Sequence, residues 1–184
     1  TPSITAGPPL TVTGLTIPAG ANAALVYEAT VNTLAPPTVG GSVTTTATVT
    51  GGGLTAPITA AETINSTAAP ILSIGKSVSP ATVSENGQLT YTFQIQNRGN
   101  TAAAATDNVV VTDNFNPILN PITVTLNGQA LTAGTDYTYD ATTGAFATVP
   151  GRITVPAATY AQNTTTGAFT IAPGSAVLTV TGTV

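Results

Sequence analysis

From Leu89 to Gln96 the side chains alternate without a break, Leu89, Tyr91, Phe93 and Ile95 apolar against Thr90, Thr92, Gln94 and Gln96 polar. A period of two places one set on each face of a strand, and no stretch of the chain offers the 3.6-residue period of a helix. The pattern recurs elsewhere. Val43, Ala47 and Val49 oppose Thr44, Thr46 and Thr48, and Leu178, Val180 and Val184 oppose Thr179, Thr181 and Thr183. Ile122, Val124 and Leu126 run into Asn127-Gly128, the strongest short hairpin signal, with Leu131 beyond it. Pro150-Gly151 marks another turn ahead of Ile153 and Val155. Thr fills 40 of the 184 positions; it is β-branched and stiff at χ1, and it gives a strand a polar face without charge. The short stretch Ala102–Ala105 is the only one that tempts a helix assignment, and it reads as loop. Many short strands with frequent turns predict an all-β chain built as an antiparallel β-sandwich.

Composition removes most chemistry. The chain has no Cys, His, Trp or Met, so a thiol nucleophile, a Ser-His-Asp triad and a zinc site on N or S ligands are all excluded. Its 3 Lys and Arg cannot neutralise a run of phosphates, which argues against a nucleic-acid partner. No apolar run approaches the roughly 18 residues that would cross a bilayer, so membrane insertion is not expected. The sequence opens Thr1-Pro2-Ser3 with no Met and no basic or apolar leader, so the expectation is a processed secretory chain or an excised piece. Low charge and abundant Thr point to an extracellular or cell-surface setting. Asn65-Ser66-Thr67 and Asn163-Thr164-Thr165 are glycosylation sequons.

An internal repeat has a broken frame. Leu15-Thr16-Ile17-Pro18-Ala19-Gly20 matches Phe169-Thr170-Ile171-Ala172-Pro173-Gly174, and Ala23–Val31 then aligns with Ala176–Val184. After Val31 the first copy continues into strand-like stretches at Val43–Val49 and Ile58–Ile64 that the second copy lacks. The second copy has strands at Leu72–Val78, Leu89–Gln96 and Val109–Val111 that the first lacks. The expected organisation is a small partial β domain over 1–68, a linker at 69–71 and a larger sandwich over 72–184 short of its closing strands. A sandwich missing strands exposes unpaired backbone groups beside an apolar groove, and strand exchange relieves both. Three arrangements remain open: halves closing on each other in one chain, halves completing a neighbour in a filament, or a fragment of a tandem array. The filament is favoured, with exchange through Leu25, Tyr27 and Val31, through Val43 and Val49, or through Ala176, Leu178, Val180 and Val184.

Leu72-Ser73-Ile74-Gly75-Lys76-Ser77-Val78-Ser79-Pro80, Gly87-Gln88-Leu89-Thr90-Tyr91-Thr92-Phe93, Asn97-Arg98-Gly99-Asn100 and Asn108-Val109-Val110-Val111-Thr112-Asp113 follow one another in order. Together they resemble the prokaryotic surface-protein repeat known as domain of unknown function eleven, whose closing part is similar to Ser42–Val49. The resemblance implies a secreted immunoglobulin-like β-sandwich, found in stalks and surface appendages, with no catalytic activity. It also implies that a Lys–Asn isopeptide bond assisted by an acid is a chemistry of related sandwiches, although Thr45 stands where family members often carry Asn. Residue parity points Lys76, Asp113 and Asn97 inward with their apolar neighbours. A buried Lys needs a partner or must shed its charge. A Lys76–Asp113 ion pair, a Lys head escaping at the strand end, and an isopeptide all stay open.

Other signals carry less. Gly75-Lys76-Ser77 resembles the end of a phosphate loop, but Pro70 stands where that motif needs Gly. Asp107, Asp113, Asn114 and Asn116 lack the order of a calcium loop. Asp136 and Asp140 beside Tyr137 and Tyr139 read as a hairpin surface, and the ladder Thr44-Thr46-Thr48-Thr50 as a solvated or neighbour-facing one. No catalytic residue, metal or cofactor is expected. The expected role is a structural subunit of an extracellular filament or appendage, made of copies of itself joined by β-strand complementation. The alternative is a spacer segment of a larger surface adhesin.

Overall fold

The computed structural model describes Thr1–Val184, which divide into two compact units, Thr1–Val31 and Asn32–Val184. The boundary therefore falls ahead of the one expected at 69–71, which lies inside the larger unit. In the smaller unit β1 (Ser3–Thr5) and β2 (Thr11–Thr13) form an antiparallel hairpin, while Ala23–Val31 takes no regular structure. Leu25, Tyr27 and Val31 are exposed there. They align with a strand of the larger unit yet have no neighbour to pair with, so alternation alone does not make a strand.

The larger unit begins with a hairpin of β3 (Ser42–Val49) and β4 (Ile58–Asn65). The next elements are β5 (Leu72–Ser79), β6 (Gln88–Asn97), β7 (Thr112–Asn114), β8 (Ile122–Leu126) and β9 (Gln129–Ala130). They are followed by β10 (Tyr137–Tyr139), β11 (Ala145–Thr148), β12 (Thr159–Gln162), β13 (Phe169–Ala172) and β14 (Gly174–Thr183). One sheet has the order β5-β6-β14-β8-β9 and a second the order β10-β11-β7, with all strand pairs antiparallel. The chain is all-β and sandwich-like. Its only helical element is one turn at Ala105–Asp107, which takes in the last residue of the stretch read as loop.

The alternation of Leu89–Gln96 is realised side chain by side chain. Leu89, Tyr91, Phe93 and Ile95 are buried, as are Ala176, Leu178 and Val180 on the neighbouring strand. On the outer face Thr hydroxyls pair across strands, Thr90 with Thr181 at 2.9 Å and Thr125 with Thr179 at 2.6 Å. The core closes on Phe115, whose ring stacks 4.9 Å from Tyr91 and lies 5.6 Å from Phe146. Leu119, Ile153 and Val155 fill in around it with no exposed surface. Asn127 and Gly128, at φ 50 and 80, make the tight β8–β9 turn that the sequence announces, since both take the positive φ of a primed turn. Tyr137 is buried and Tyr139 half-buried, so the aromatic part of the expected hairpin surface belongs to the core instead. No helix is long and apolar enough to cross a membrane.

Candidate functional site

β5 is the anomaly of the fold. It pairs with β6 along its full length, Ile74 opposite Ile95, Lys76 opposite Phe93 and Val78 opposite Tyr91. Opposite residues of an antiparallel pair share a face, so Leu72, Ile74, Lys76 and Val78 sit on the core side of the sheet. Yet every residue of β5 is exposed, with Leu72, Ile74 and Val78 between 39% and 57% accessible. The reason is the second layer. Its three strands end at the edge strand β7, and the core side chains of β6, β14 and β8 are buried while those of β5 are not, leaving an open groove of about 190 Å³ lined by Leu72, Ile74, Ile95 and Val109–Val111.

One wall of this groove is the free edge of β5; the other is Val109–Val111, which was expected as a strand but takes no regular structure and runs into the three-residue edge strand β7. Thr148 donates to the Val111 carbonyl at 3.0 Å and Phe115 to the Gly144 carbonyl at 2.9 Å, so odd-numbered residues of this stretch face β11. The alternating ladder then turns the amides and carbonyls of Val110 and Thr112 to the side where no strand lies. On β5, Arg98 donates to the Ile71 carbonyl at 2.9 Å, which turns the backbone groups of Leu72, Ile74, Lys76 and Val78 outward in the same way.

The structure brings Lys76 and Asp113 together across the groove as an ion pair. The ammonium also lies 4.7 Å from the Tyr91 ring centroid and 5.6 Å from those of Phe93 and Phe115, a cation–π setting. Asp113 Oδ2 is buried and has no partner besides that ammonium. Asn97 is elsewhere, opposite Leu72 at the far end of β5, with no exposed surface. Its Oδ1 accepts from the amides of Ile71 and Gly99, both at 2.9 Å, and its Nδ2 donates to the carbonyls of Thr101 at 2.7 Å and Pro156 at 3.0 Å. A side chain so fully engaged is a structural clamp, and it is not the amide partner that an isopeptide with Lys76 requires.

Three groups of expected exchange residues meet different fates. Ala176, Leu178 and Val180 belong to β14, which has β6 on one side and β8 on the other. Val184 exchanges hydrogen bonds with Asn86 and Gly87. A strand flanked on both sides has no free edge, so this group is corrected from exchanged strand to sheet centre. Leu25, Tyr27 and Val31 lie in the irregular segment of the smaller unit. Val43 and Val49 alone sit on a free hairpin.

That hairpin is exposed at every position of both strands. Val43 pairs with Ile64, Thr45 with Glu62, Ala47 with Ala60 and Val49 with Ile58, giving one mostly apolar face. The other face carries Thr44, Thr46, Thr48, Thr59 and Thr63, with Thr44 and Thr63 hydrogen-bonded at 2.8 Å. Its roots are held by Asn100, which donates to the Pro37 carbonyl, Ser66 Oγ and the Thr67 carbonyl, all at 3.0 Å, and accepts from the Ala69 amide at 3.0 Å. The Asn97–Asn100 turn thus fixes the hairpin at the end of the sandwich where β5 begins. Of the sequons, Asn65 closes β4 and is exposed, and Asn163 is exposed but caps its own turn by accepting from Thr165 and Thr166.

The acidic residues work locally. Asp136 pairs with Arg152 at 3.2 Å and accepts from Thr132. Asp140 accepts from the Thr142 amide and the Thr143 hydroxyl, which holds its carboxyl below the usual Asp range. Burial pushes the Tyr137 phenol up. No three acidic side chains converge. The unpaired backbone of Val110 and Thr112 goes unnoticed in the sequence, although Val109-Val110-Val111 signals it: an exposed apolar residue just ahead of an edge strand asks for cover.

Comparison with family models, with curated proteins and with solved structures gives no match for this chain.

Proposed function

We propose that this chain is a structural, non-enzymatic subunit of an extracellular filament or surface appendage, joined head to tail to copies of itself by β-strand complementation. The observation that carries this reading is the uncovered flank, where the free edge of β5 and the unpaired segment Val109–Val111 leading into β7 border an apolar groove. Unpaired edges of that kind are templates for another strand, and an added strand satisfies the backbone while its side chains fill the groove. A contact between two different surfaces repeats without closing and builds a fibre. The scarcity of charge, 10 charged side chains in 184 residues, supports close approach of subunit faces at little desolvation cost. The extracellular setting rests on the Thr-rich composition and on the resemblance to a surface repeat.

Negative-stain electron microscopy and light scattering of the purified chain test the reading. Rods of constant width are expected, and a monodisperse monomer at all concentrations would overturn it. The clamped hairpin, directed from one end of the sandwich, favours a second reading as a spacer in a larger adhesin. A monomeric species in the same experiment is the outcome that reading requires.

A further inference from the structure

We infer that the groove between β5 and β7 is the seat for the β3–β4 hairpin of a second copy of this chain, with Glu62 of the incoming hairpin placed against Lys76. This rests on the filament reading above and names its donor, its acceptor and its register.

Direction selects the strands. The chain descends from the Leu72 end of the groove, where Val109–Val111 line it, through β7 to Phe115, which stacks on Tyr91. A strand antiparallel to β7 therefore ascends. If β3 takes that place, the hairpin tip lies at the Leu72 end and its roots lie at the opposite end, beside Val184 and Gly87. The donor's own sandwich, which follows its hairpin roots, then continues beyond the acceptor, and the arrangement is head to tail. With β4 on β7 instead, the same polarity would need a parallel ladder, which is slightly less stable per residue.

β4 and β5, which face each other in this seat, are each 8 residues long, about 26 Å at 3.3 Å per residue, while β3 lies along the three residues of β7 and the irregular Val109–Val111 ahead of it. With β3 on β7, β4 descends beside β5 in the same direction. The inward residues of β4 read Ile58, Ala60, Glu62, Ile64, and those of β5 read Leu72, Ile74, Lys76, Val78. Each face has a single charge, at its third position, and the charges are opposite. Lys76 has donors to spare, because Asp113 is its only ion-pair partner. The Thr face of the hairpin stays toward water.

The hairpin does not reach its own groove in the observed conformation. Only residues 66–71 separate β4 from β5, and Asn100 holds that linker at the Leu72 end of the sandwich.

The test uses the whole chain. Ile74→Asp blocks the acceptor, and the double change Val43→Asp with Ile64→Asp blocks the donor. All three positions are exposed, so each variant should keep the parent circular dichroism. Each variant alone should stay monomeric, and an equimolar mixture should give a one-to-one dimer in light scattering. Variants that polymerise like the parent, or a mixture that stays monomeric, would overturn the assignment. On the unmodified chain, a carbodiimide should couple Lys76, the only lysine, to Glu62 between ¹⁴N- and ¹⁵N-labelled molecules in peptide mass spectra. Filaments without that crosslink would sink this seat and leave the filament reading intact. A parent chain that never assembles would sink both.

Discussion

Replacing Asn97 by Ala removes four hydrogen bonds from a side chain with no exposed surface. The four stranded partners are not equivalent. The Gly99 amide lies in a buried residue and is left without water, which costs about 1–3 kcal/mol. Ile71, Thr101 and Pro156 are at least partly exposed, so their groups rehydrate and each loses only the net bond, about 0.5–1 kcal/mol. The sum is about 2.5–6 kcal/mol. For a unit of this size each kcal/mol lowers Tm by about 2–4 °C, so a drop of roughly 5–25 °C is expected in calorimetry and a matching shift in urea unfolding. Asn97→Asp separates donors from acceptors. It keeps both accepted bonds but sets a carboxylate against the Thr101 and Pro156 carbonyls, and burial there raises the folded pKa above the unfolded value. Stability of that variant is then highest below the ordinary Asp range, near 3.9, and is lost as pH rises toward the folded pKa. An Asn97→Ala loss within about 1 kcal/mol of the parent, or an Asn97→Asp variant indifferent to pH between 3.5 and 7, would refute the clamp.

Phe115→Ala should cost about 3–5 kcal/mol in urea unfolding, because the ring is the centre on which Tyr91, Phe93, Tyr139 and Phe146 converge. Asn100→Ala should leave the sandwich transition nearly unchanged but free the hairpin roots, so limited proteolysis within 66–71 should quicken; cleavage at the parent rate would contradict the tether. The Asp140 carboxyl, held low by Thr142 and Thr143, contributes to its turn above the ordinary Asp range and loses that contribution as pH falls through the lowered pKa. A carboxyl ¹³C titration should place its midpoint below the usual value, and Asp140→Asn should remove that acid limb.

The alternation of Leu89–Gln96, the Asn127-Gly128 turn and the inward parity of Lys76, Asp113 and Asn97 were all legible, because each depends on a period of two or on two adjacent residues. What was not legible was partnership. Ala176–Val184 and Ala23–Val31 have similar sequences, yet the first is a sheet centre and the second has no regular structure, because a strand exists only where neighbours accept its hydrogen bonds. The same limit explains Asn97, whose parity was read correctly and whose role was not. Parity gives the face but not the position along the strand, and four residues of β6 separate Asn97 from Phe93, the partner of Lys76. The open flank over β5 follows from the sheet order, in which β5 is an edge strand, and no residue pattern gives that order.

Across the proposed seat, apolar cover and charge do different work. Leu72, Ile74 and Val78 on one side and Val43, Val49, Ile58 and Ile64 on the other are each 39% to 63% exposed. Burying the remainder contributes about 1 kcal/mol apiece. A half-exposed Glu62–Lys76 pair adds about 0–1 kcal/mol, so it does not set the affinity. Register is another matter. A slip of one residue turns the hairpin's Thr face into the groove and forfeits the apolar term entirely. A slip of two restores the apolar face and costs little in area, but it sets Lys76 against Ala60 or Ile64 and leaves Glu62 facing a hydrophobic side chain without a counter-charge. Apolar matching alone leaves these registers nearly equal. The Glu62–Lys76 contact, the one pairing of charges between the two copies, separates them, and raising the salt concentration should loosen the register of assembly well before it weakens assembly itself.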